Sequence, residues 1–219
     1  MQSRSEPEQK TWFYQFARVV VKAFAALFYP SRALNPEKLE AMSAPYILIA
    51  NHQSMMDPIL LAAHLKRYEI RFLGKRELTR FAPLRWVVEK LHMIPVSRHQ
   101  SDMGAMRASL NALKAGHVLC LFPEGSRFPG GPPMAQIQSG FTVLALRSQA
   151  PLLPVYVHGI PRPFKRVKLL VGDPISFETL NRENNELSYD AIKAHIQDVY
   201  QKLKEKLEQE KNNSSSVTQ

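Results

Sequence analysis

The sequence contains a single cysteine, Cys120, among its 219 residues. One thiol cannot form a disulfide bond within the chain, so we expect a protein of a reducing compartment. Cys120 lies within the apolar segment 117–122, which predicts an inert core thiol rather than a nucleophile. The sequence also lacks an H-E-x-x-H motif and a cysteine cluster, and we therefore expect no metal site.

The 9 glycines and 16 prolines follow no repeat, which excludes collagen-like and low-complexity classes. A hydrophobic content of 45% argues against disorder. No linker is long enough to separate two domains, and the length suits one domain with a substantial core. We therefore expect a membrane-associating helical segment over residues 1–35, one folded domain over 36–211 and a disordered tail over 212–219.

Acidic residues are scarce, since 19 Asp and Glu stand against 29 Lys and Arg, which gives a formal net charge of +10. The basic residues are concentrated between 64 and 98 and again between 162 and 168. Such clusters attract nucleic acid, anionic lipid surfaces or phosphorylated substrates, and charge alone does not choose among these. Because zinc-finger spacing, an RNP-like aromatic block and a convincing helix-turn-helix are all missing, we expect no nucleic-acid partner.

The sequence has no long apolar run that is free of charge. The most apolar segment, residues 11–29, carries Arg18 and Lys22, which share one helical stripe with Thr11 and Gln15. Two cations in so short a segment argue against a membrane-spanning helix. The pattern instead predicts an amphipathic helix in the membrane interface, on the cytoplasmic face, as in a peripheral or monotopic protein. A helix packed on the domain core gives a similar pattern and is the alternative.

Strand-like and helical segments alternate along the rest of the chain. We predict strands at 46–50, 71–73, 93–96, 118–122, 153–157 and 167–171, and helices at 58–65, 84–91, 101–115, 141–148 and 189–210. For the helix at 101–115, Ser101 is the expected N-cap and Gly116 the expected terminator. This alternation predicts an α/β fold in which helices cover a mixed, largely parallel sheet.

A polar turn with the sequence N-H-Q-S-M-M-D, residues 51–57, follows the first predicted strand. Residues just beyond the carboxyl ends of parallel strands line the ligand crevice, so His52 is a candidate functional residue. Asp57 could fold back onto the imidazole and leave one ring nitrogen free as a base, or it could be only the N-cap of the next helix. No nucleophile elbow is present, so we expect such a base to activate a hydroxyl of the substrate.

A second polar segment, F-P-E-G-S-R at residues 122–127, follows another apolar strand. Arg127 offers a planar fork of donors suited to phosphate oxygens, and Glu124 can accept a hydrogen bond from a sugar-like or glycerol hydroxyl. Gly125 allows close approach of the backbone. The alternative is an ordinary charged turn in which Glu124 and Arg127 form an ion pair.

Together, these segments resemble the motifs of the glycerolipid acyltransferases. Residues 51–57 look like the N-H-x4-D motif of that family, and residues 122–127 look like its F-P-E-G-[ST]-R motif. Two weaker blocks, at 74–98 and 150–157, fall in the expected order. The similarity is greatest to the lysophosphatidic acid (1-acylglycerol-3-phosphate) acyltransferase branch.

The resemblance implies a membrane-bound O-acyltransferase of phospholipid biosynthesis that needs no cofactor. His52, oriented by Asp57, would be the general base on the free hydroxyl of lysophosphatidic acid. That oxygen would attack the thioester of acyl-CoA or acyl-carrier protein without an acyl-enzyme, giving phosphatidic acid. The implied substrate-binding residues are Asn51, Lys75, Arg98, Glu124, Gly125, Ser126 and Arg127. The alternatives are an enzyme of the same family with another lysophospholipid or hydroxylated acceptor, or a catalytically silent membrane-binding protein.

Overall fold

The structure is a computed structural model, and it describes residues 12–65, 67–79, 85, 92–97, 102–183 and 188–216. The strands are β1 (Ser31–Leu34), β2 (Ile47–Ala50), β3 (Ile70–Lys75), β4 (Ile94–Val96), β5 (Val118–Leu121), β6 (Leu152–His158) and β7 (Val167–Val171). The helices are α1 (Trp12–Phe28), α2 (Pro36–Ala41), α3 (Asp57–His64), α4 (Met103–Lys114), α5 (Ser139–Ser148), α6 (Phe177–Glu183) and α7 (Tyr189–Ser216).

The seven strands of these ranges form one sheet in the order β1-β7-β6-β2-β5-β3-β4. Neighbouring strands are parallel except for β6 and β7, which are antiparallel. β2 lies at the centre and all of its residues are buried, as is expected for a parallel strand covered by helices on both faces. The predicted α/β fold with a mixed, largely parallel sheet is therefore confirmed.

The core occupies both faces of the sheet, because successive side chains of a strand point to opposite sides. From β2, Ile47 and Ile49 pack in the cluster that includes side chains of α4, α5 and α7. Leu48 and Ala50 pack in the cluster on the other face, with side chains of α1, α2 and α3. With both faces covered, ligands of such a sheet bind beyond the carboxyl ends of its strands.

The N-terminal segment forms the helix α1, and one side of this helix packs against α3. Ala25 on that side is buried, while a set of large apolar side chains on α1 is exposed. Packing on the domain, the alternative interpretation of this segment, therefore accounts for one side of α1 only. Across the described residues, no helix is both long and apolar enough to cross a membrane.

The predicted domain boundary at residue 35 differs from the structure, because the sheet begins earlier. Ser31 of β1 lies opposite Val167 of β7, and the parallel pairing continues to Leu34 opposite Leu170. The segment S-R-A-L has no alternating apolar pattern, so its strand conformation depends on the sheet edge that it completes. Residues 31–34 thus belong to the folded domain.

Two helix boundaries also differ from the predictions. α4 begins at Met103 with Asp102 as its N-cap, because the Asp102 carboxylate accepts a hydrogen bond from Ala105 N at 2.9 Å. The predicted cap, Ser101, lies outside the described residues, as does the predicted helix at 84–91 apart from residue 85. α7 continues to Ser216, which places residues 212–216 of the predicted tail in a helix; lengthening an existing helix requires no new nucleus.

Candidate active site

The ends of β2 and β5 bring the two polar motifs together. In the parallel register, Ile47 lies opposite Leu119 and Ile49 opposite Leu121. The same offset, continued beyond the strands, places His52 level with Glu124. The backbone N–H of His52 donates a hydrogen bond to Glu124 Oε2 at 2.7 Å. Strand register therefore joins two motifs that are 72 residues apart in the chain.

His52 and Asp57 form a buried pair within the first motif. His52 Nδ1 and Asp57 Oδ2 are 2.9 Å apart, and the Asp57 side chain is fully buried. Asp57 Oδ2 also accepts hydrogen bonds from the backbone N–H groups of Gln53 and Ser54, each at 2.7 Å. These donors precede α3, so the carboxylate folds back on the turn instead of capping its own helix. A carboxylate at Nδ1 favours the imidazole tautomer with hydrogen on Nδ1, which leaves Nε2 able to accept a proton.

The His52 ring is held on its flat side by Phe122. The two ring centroids are 4.1 Å apart and the planes differ by 19°, which is a stacked arrangement. The His52 side chain retains 11% of its exposure. The imidazole is therefore fixed by a carboxylate at one edge and by an aromatic face, yet it still reaches the surface.

Asn51 ties the first motif to the end of β6. Its side-chain N–H donates to Val157 O at 3.0 Å, and its Oδ1 accepts from Val157 N at 2.7 Å. Asn51 is fully buried. This pair of bonds continues the ladder between β2 and β6, so Asn51 holds the first motif on the sheet, and its contact with substrate stays a prediction.

Glu124 is similarly engaged by the protein backbone. Its Oε2 accepts from His52 N and its Oε1 accepts from Met134 N at 2.8 Å. Burial raises the pKa of Glu124, while the two backbone hydrogen bonds act in the opposite direction. Both carboxylate oxygens thus cross-link the motif loops. The predicted hydrogen bond, in which Glu124 accepts from a glycerol hydroxyl, would have to use a carboxylate that already accepts two backbone hydrogen bonds.

Gly125 makes the sharp turn that follows Glu124. Its φ of 69° lies in the left-handed region, and its N–H donates to Phe122 O at 3.0 Å. A Cβ at this position would lie 2.7 Å from Cγ of Gln138. The structure therefore gives Gly125 a backbone role.

The loop after the second motif packs onto the first motif. Phe128 N donates to the carbonyl of His52 at 2.8 Å, and Gly130 N donates to Gln53 Oε1 at 2.7 Å. From α7, Tyr200 donates its buried hydroxyl to Ile49 O at 2.7 Å, two residues before the motif begins. Sequence reasoning missed Gln53, Phe128 and Tyr200. The Pro- and Gly-rich segment 129–133 predicts a loop, but this pattern does not indicate which part of the protein the loop packs against.

Three of the predicted substrate-binding residues are exposed. Lys75 ends β3, and Ser126 and Arg127 follow the Gly125 turn; all three are exposed. In the described part of the chain, Arg127 forms no ion pair, so the alternative of a Glu124–Arg127 pair is not what the structure contains. Arg98, the remaining predicted cation, lies outside the described residues.

The titratable groups of the described residues do not form a metal-binding cluster of three or more His, Cys, Asp or Glu side chains. Cys120 is a free and fully buried thiol, and its burial raises its pKa. The described chemistry at this edge of the sheet is therefore that of an imidazole with its carboxylate, with Lys75 and Arg127 exposed at the ends of β3 and β5.

The sequence profile of the family described as Acyltransferase matches residues 32–158, which span β1 to β6 and include both motifs. The chain belongs to the acyltransferase family. The predicted resemblance is thereby confirmed, and so is the prediction of an O-acyltransferase.

Two curated relatives are 1-acyl-sn-glycerol-3-phosphate acyltransferases. That of Bacillus subtilis (strain 168) is 26% identical over 168 residues, 74% of this chain and 82% of the relative. That of Streptococcus pneumoniae (strain ATCC BAA-255 / R6) is 26% identical over 205 residues, 90% and 75% respectively.

A solved acyltransferase has the same fold. The crystal structure of the 1-acyl-sn-glycerophosphate (LPA) acyltransferase, PlsC, from Thermotoga maritima superposes with a TM-score of 0.68 at 22% sequence identity. The match covers 88% of this chain and 80% of that chain. It extends beyond the family profile, so the acyltransferase fold includes most of the described elements.

Proposed function

We propose that this acyltransferase moves a fatty acyl group from a thioester to the free hydroxyl of lysophosphatidic acid, giving phosphatidic acid. The observation that carries the proposal is the His52–Asp57 pair, whose 2.9 Å contact lies beside exposed cations at one edge of the sheet. The names of the relatives support the acceptor, since both matched bacterial enzymes are called 1-acyl-sn-glycerol-3-phosphate acyltransferases.

In the proposed reaction, His52 Nε2 takes the proton of the acceptor hydroxyl as its oxygen attacks the thioester carbonyl. The tetrahedral intermediate then breaks its carbon–sulfur bond, and the leaving thiolate takes the proton from His52. One ester forms, one thioester is consumed and no acyl group passes through the protein. Asp57 stabilises the imidazolium that forms between the two steps, and its contact at Nδ1 keeps Nε2 directed at the acceptor.

The phosphate of the acceptor would be bound by the exposed cations at this edge of the sheet. Arg127 supports this role because it follows the buried, cross-linked Glu124 by three residues and its guanidinium is exposed. A guanidinium can donate two parallel hydrogen bonds to phosphate oxygens. Lys75, Ser126 and Arg98 complete the proposed binding set.

The acyl donor would be acyl-CoA or acyl-carrier protein, both of which are acidic partners suited to a basic chain.

The acceptor and the product are membrane lipids, so we propose that the enzyme works at the cytoplasmic face of the membrane, as a peripheral or monotopic protein. A transfer assay that offers each donor with a panel of lysophospholipids would identify both substrates. Transfer to another lysophospholipid in preference to lysophosphatidic acid would overturn the proposed acceptor.

The decisive experiment removes the imidazole. We expect His52→Ala to lower turnover at least about 100-fold, which is the lower end of the contribution of a general base. His195→Ala, on α7, removes a histidine that belongs to neither motif and provides the matched control. Comparable transfer by wild type and His52→Ala, with both proteins folded, would contradict the mechanism. Absence of transfer by the wild type with every donor and acceptor would favour a silent lipid-binding protein.

A further inference from the structure

We propose that the loop at residues 159–166, between β6 and β7, is a second membrane-docking element, which inserts Phe164 beside α1 into a leaflet containing anionic lipid. The proposal deepens the proposed function and rests on it, because it describes how that enzyme would meet its lipid acceptor. It assigns a binding role to residues outside both motifs.

The described face of α1 offers the apolar half of this surface. Ala25 is buried against the domain, but neighbouring large apolar side chains remain exposed. The exposed set comprises Phe16, Val19, Val20, Phe24, Leu27 and Phe28. A row of this size on one helix is more than scattered surface hydrophobics, and such rows mark interaction sites.

Phe164 extends the same apolar surface from a different part of the chain. Its side chain is 72% exposed, and its ring centroid lies 5.9 Å from that of Phe28. Its backbone N–H donates to Phe28 O at 2.7 Å, which fixes the loop to the end of α1. Its φ of 61° is in the left-handed region, which is unfavourable for a bulky side chain. Although Phe164 contacts Phe28, most of its ring is exposed while its backbone conformation costs free energy, which points to a ligand outside the domain.

The charges around Phe164 identify the occupant as a lipid surface. Three exposed cations, Arg162, Lys165 and Arg166, flank the ring, and the segment 159–168 contains no acidic residue. Lys165 N donates to Arg162 O at 3.1 Å, so these cations and Phe164 share one tight turn. Aromatic rings that enter the acyl region beneath a layer of bound anionic headgroups suit this arrangement.

The position of the loop connects docking with the candidate active site. β6 ends at His158, at the same edge of the sheet where Asn51 bonds to Val157. The loop therefore leaves the domain next to the motif that carries His52. A leaflet bound to Phe164 and α1 would lie along that edge, where an acceptor hydroxyl could reach the imidazole without leaving the membrane.

The test is sedimentation of the full chain with phosphatidylcholine vesicles, with and without phosphatidylglycerol. We expect Phe164→Ala to weaken binding about tenfold on both, because an apolar ring leaves the lipid. We expect Arg162→Glu/Lys165→Glu/Arg166→Glu to weaken binding at least about 100-fold on anionic vesicles alone. Lys114→Glu/Arg147→Glu/Lys206→Glu is the control, because it makes the same change in net charge with exposed cations of α4, α5 and α7.

Insertion itself has a spectroscopic readout. In Phe164→Trp we expect binding to be retained, with extra emission that shifts to the blue on vesicles and is quenched by bromine-labelled lipid. Equal binding by wild type, Phe164→Ala and the charge variant would overturn the proposal, as would equal losses in the control triple. A change in the oligomeric state of either variant in the absence of vesicles would also overturn it, because a second copy of the chain would then be what covers Phe164 and α1.

The fate of the proposal is separable from that of the acyltransferase reaction. With a short-chain acceptor that is monomeric in solution, we expect Phe164→Ala to keep wild-type turnover. With acceptor embedded in vesicles, its rate should fall in parallel with its binding. Loss of turnover with the monomeric acceptor would assign Phe164 to the active site and contradict a docking role. If the wild type transfers no acyl group in either format, vesicle binding still decides this proposal.

Discussion

Residues 51–57 and the exposed side chains proposed to bind phosphate are held in different ways. Residues 51–57, which include the proposed base, are anchored through Asn51 to β6 and through the backbone of His52 to Glu124. Lys75, Ser126 and Arg127 are exposed. The proposed base is thus preorganised, whereas the proposed phosphate-binding cations can change their side-chain conformation. Mutations in the two groups should consequently affect different kinetic constants.

The largest effect expected from this comparison is that of Asp57→Asn. The amide can still accept from the backbone of Gln53 and Ser54, so the turn should fold. The same oxygen also faces His52 Nδ1 and can still accept its hydrogen, but the amide carries no negative charge to stabilise the imidazolium. We therefore expect kcat to fall about 10²- to 10⁴-fold with a small change in KM. Asp190→Asn, an exposed change on α7, is the control. A kcat within a few-fold of wild type would show that the pair is structural only.

Glu124→Gln tests whether the second motif positions the first. Gln presents one donor and one acceptor where two backbone N–H groups now meet a carboxylate, so one of these donors loses its partner. We expect a loss of about 1–3 kcal/mol in the free energy of unfolding, measured with urea, together with a reduced kcat. The exposed Glu37→Gln provides the control. A change in KM alone, with full stability, would instead indicate that Glu124 binds the acceptor.

Arg127→Ala tests the exposed side chains that are proposed to bind phosphate. Because a forked, charge-assisted pair of hydrogen bonds would be lost, we expect KM for lysophosphatidic acid to rise about tenfold or more while kcat changes little. An acceptor without phosphate should be used as well by the variant as by wild type. The matched control is Arg107→Ala, an exposed arginine of α4. Unchanged KM for the phosphorylated acceptor would remove Arg127 from the binding set.

The contact between His52 and Asp57 could be predicted because its pattern is local. His52 and Asp57 are five residues apart, and the strand before them is an apolar run with its polar turn attached. Parallel pairing followed from the alternation of strands and helices, which requires no knowledge of distant contacts. Residue type and short spacing were therefore enough to predict that His52 and Asp57 form a pair.

What supports that pair could not be predicted, because it is set by contacts between distant segments. Asn51 was expected to touch substrate, yet it bonds to Val157, 106 residues away. Tyr200 reaches Ile49 across 151 residues, and nothing in its helical pattern distinguishes it from an ordinary core tyrosine. The strand β1 was missed for the same reason, since its segment becomes a strand only through pairing with β7.

The smallest expected effect is that of Asp102, the N-cap of α4, which also holds Ser97 and Arg76. It accepts from Ser97 N at 2.8 Å and contacts Arg76 at 2.8 Å. The backbone hydrogen bonds from Ala105 and Ser97, more than Arg76, lower the pKa of Asp102 to about 2. A folded pKa below the unfolded value of about 3.9 means that ionised Asp102 favours the folded state.

This contribution should be complete at neutral pH and should decline as the pH falls from about 4 towards 2. We expect Asp102→Asn to lower the urea midpoint at pH 7, and the difference from wild type to shrink by about pH 3. Turnover at pH 7 should change little, because Asp102 bonds to Arg76, Ser97 and Ala105 and not to the His52–Asp57 pair. An equal difference at both pH values would show that the aspartate acts through its shape and not through its charge.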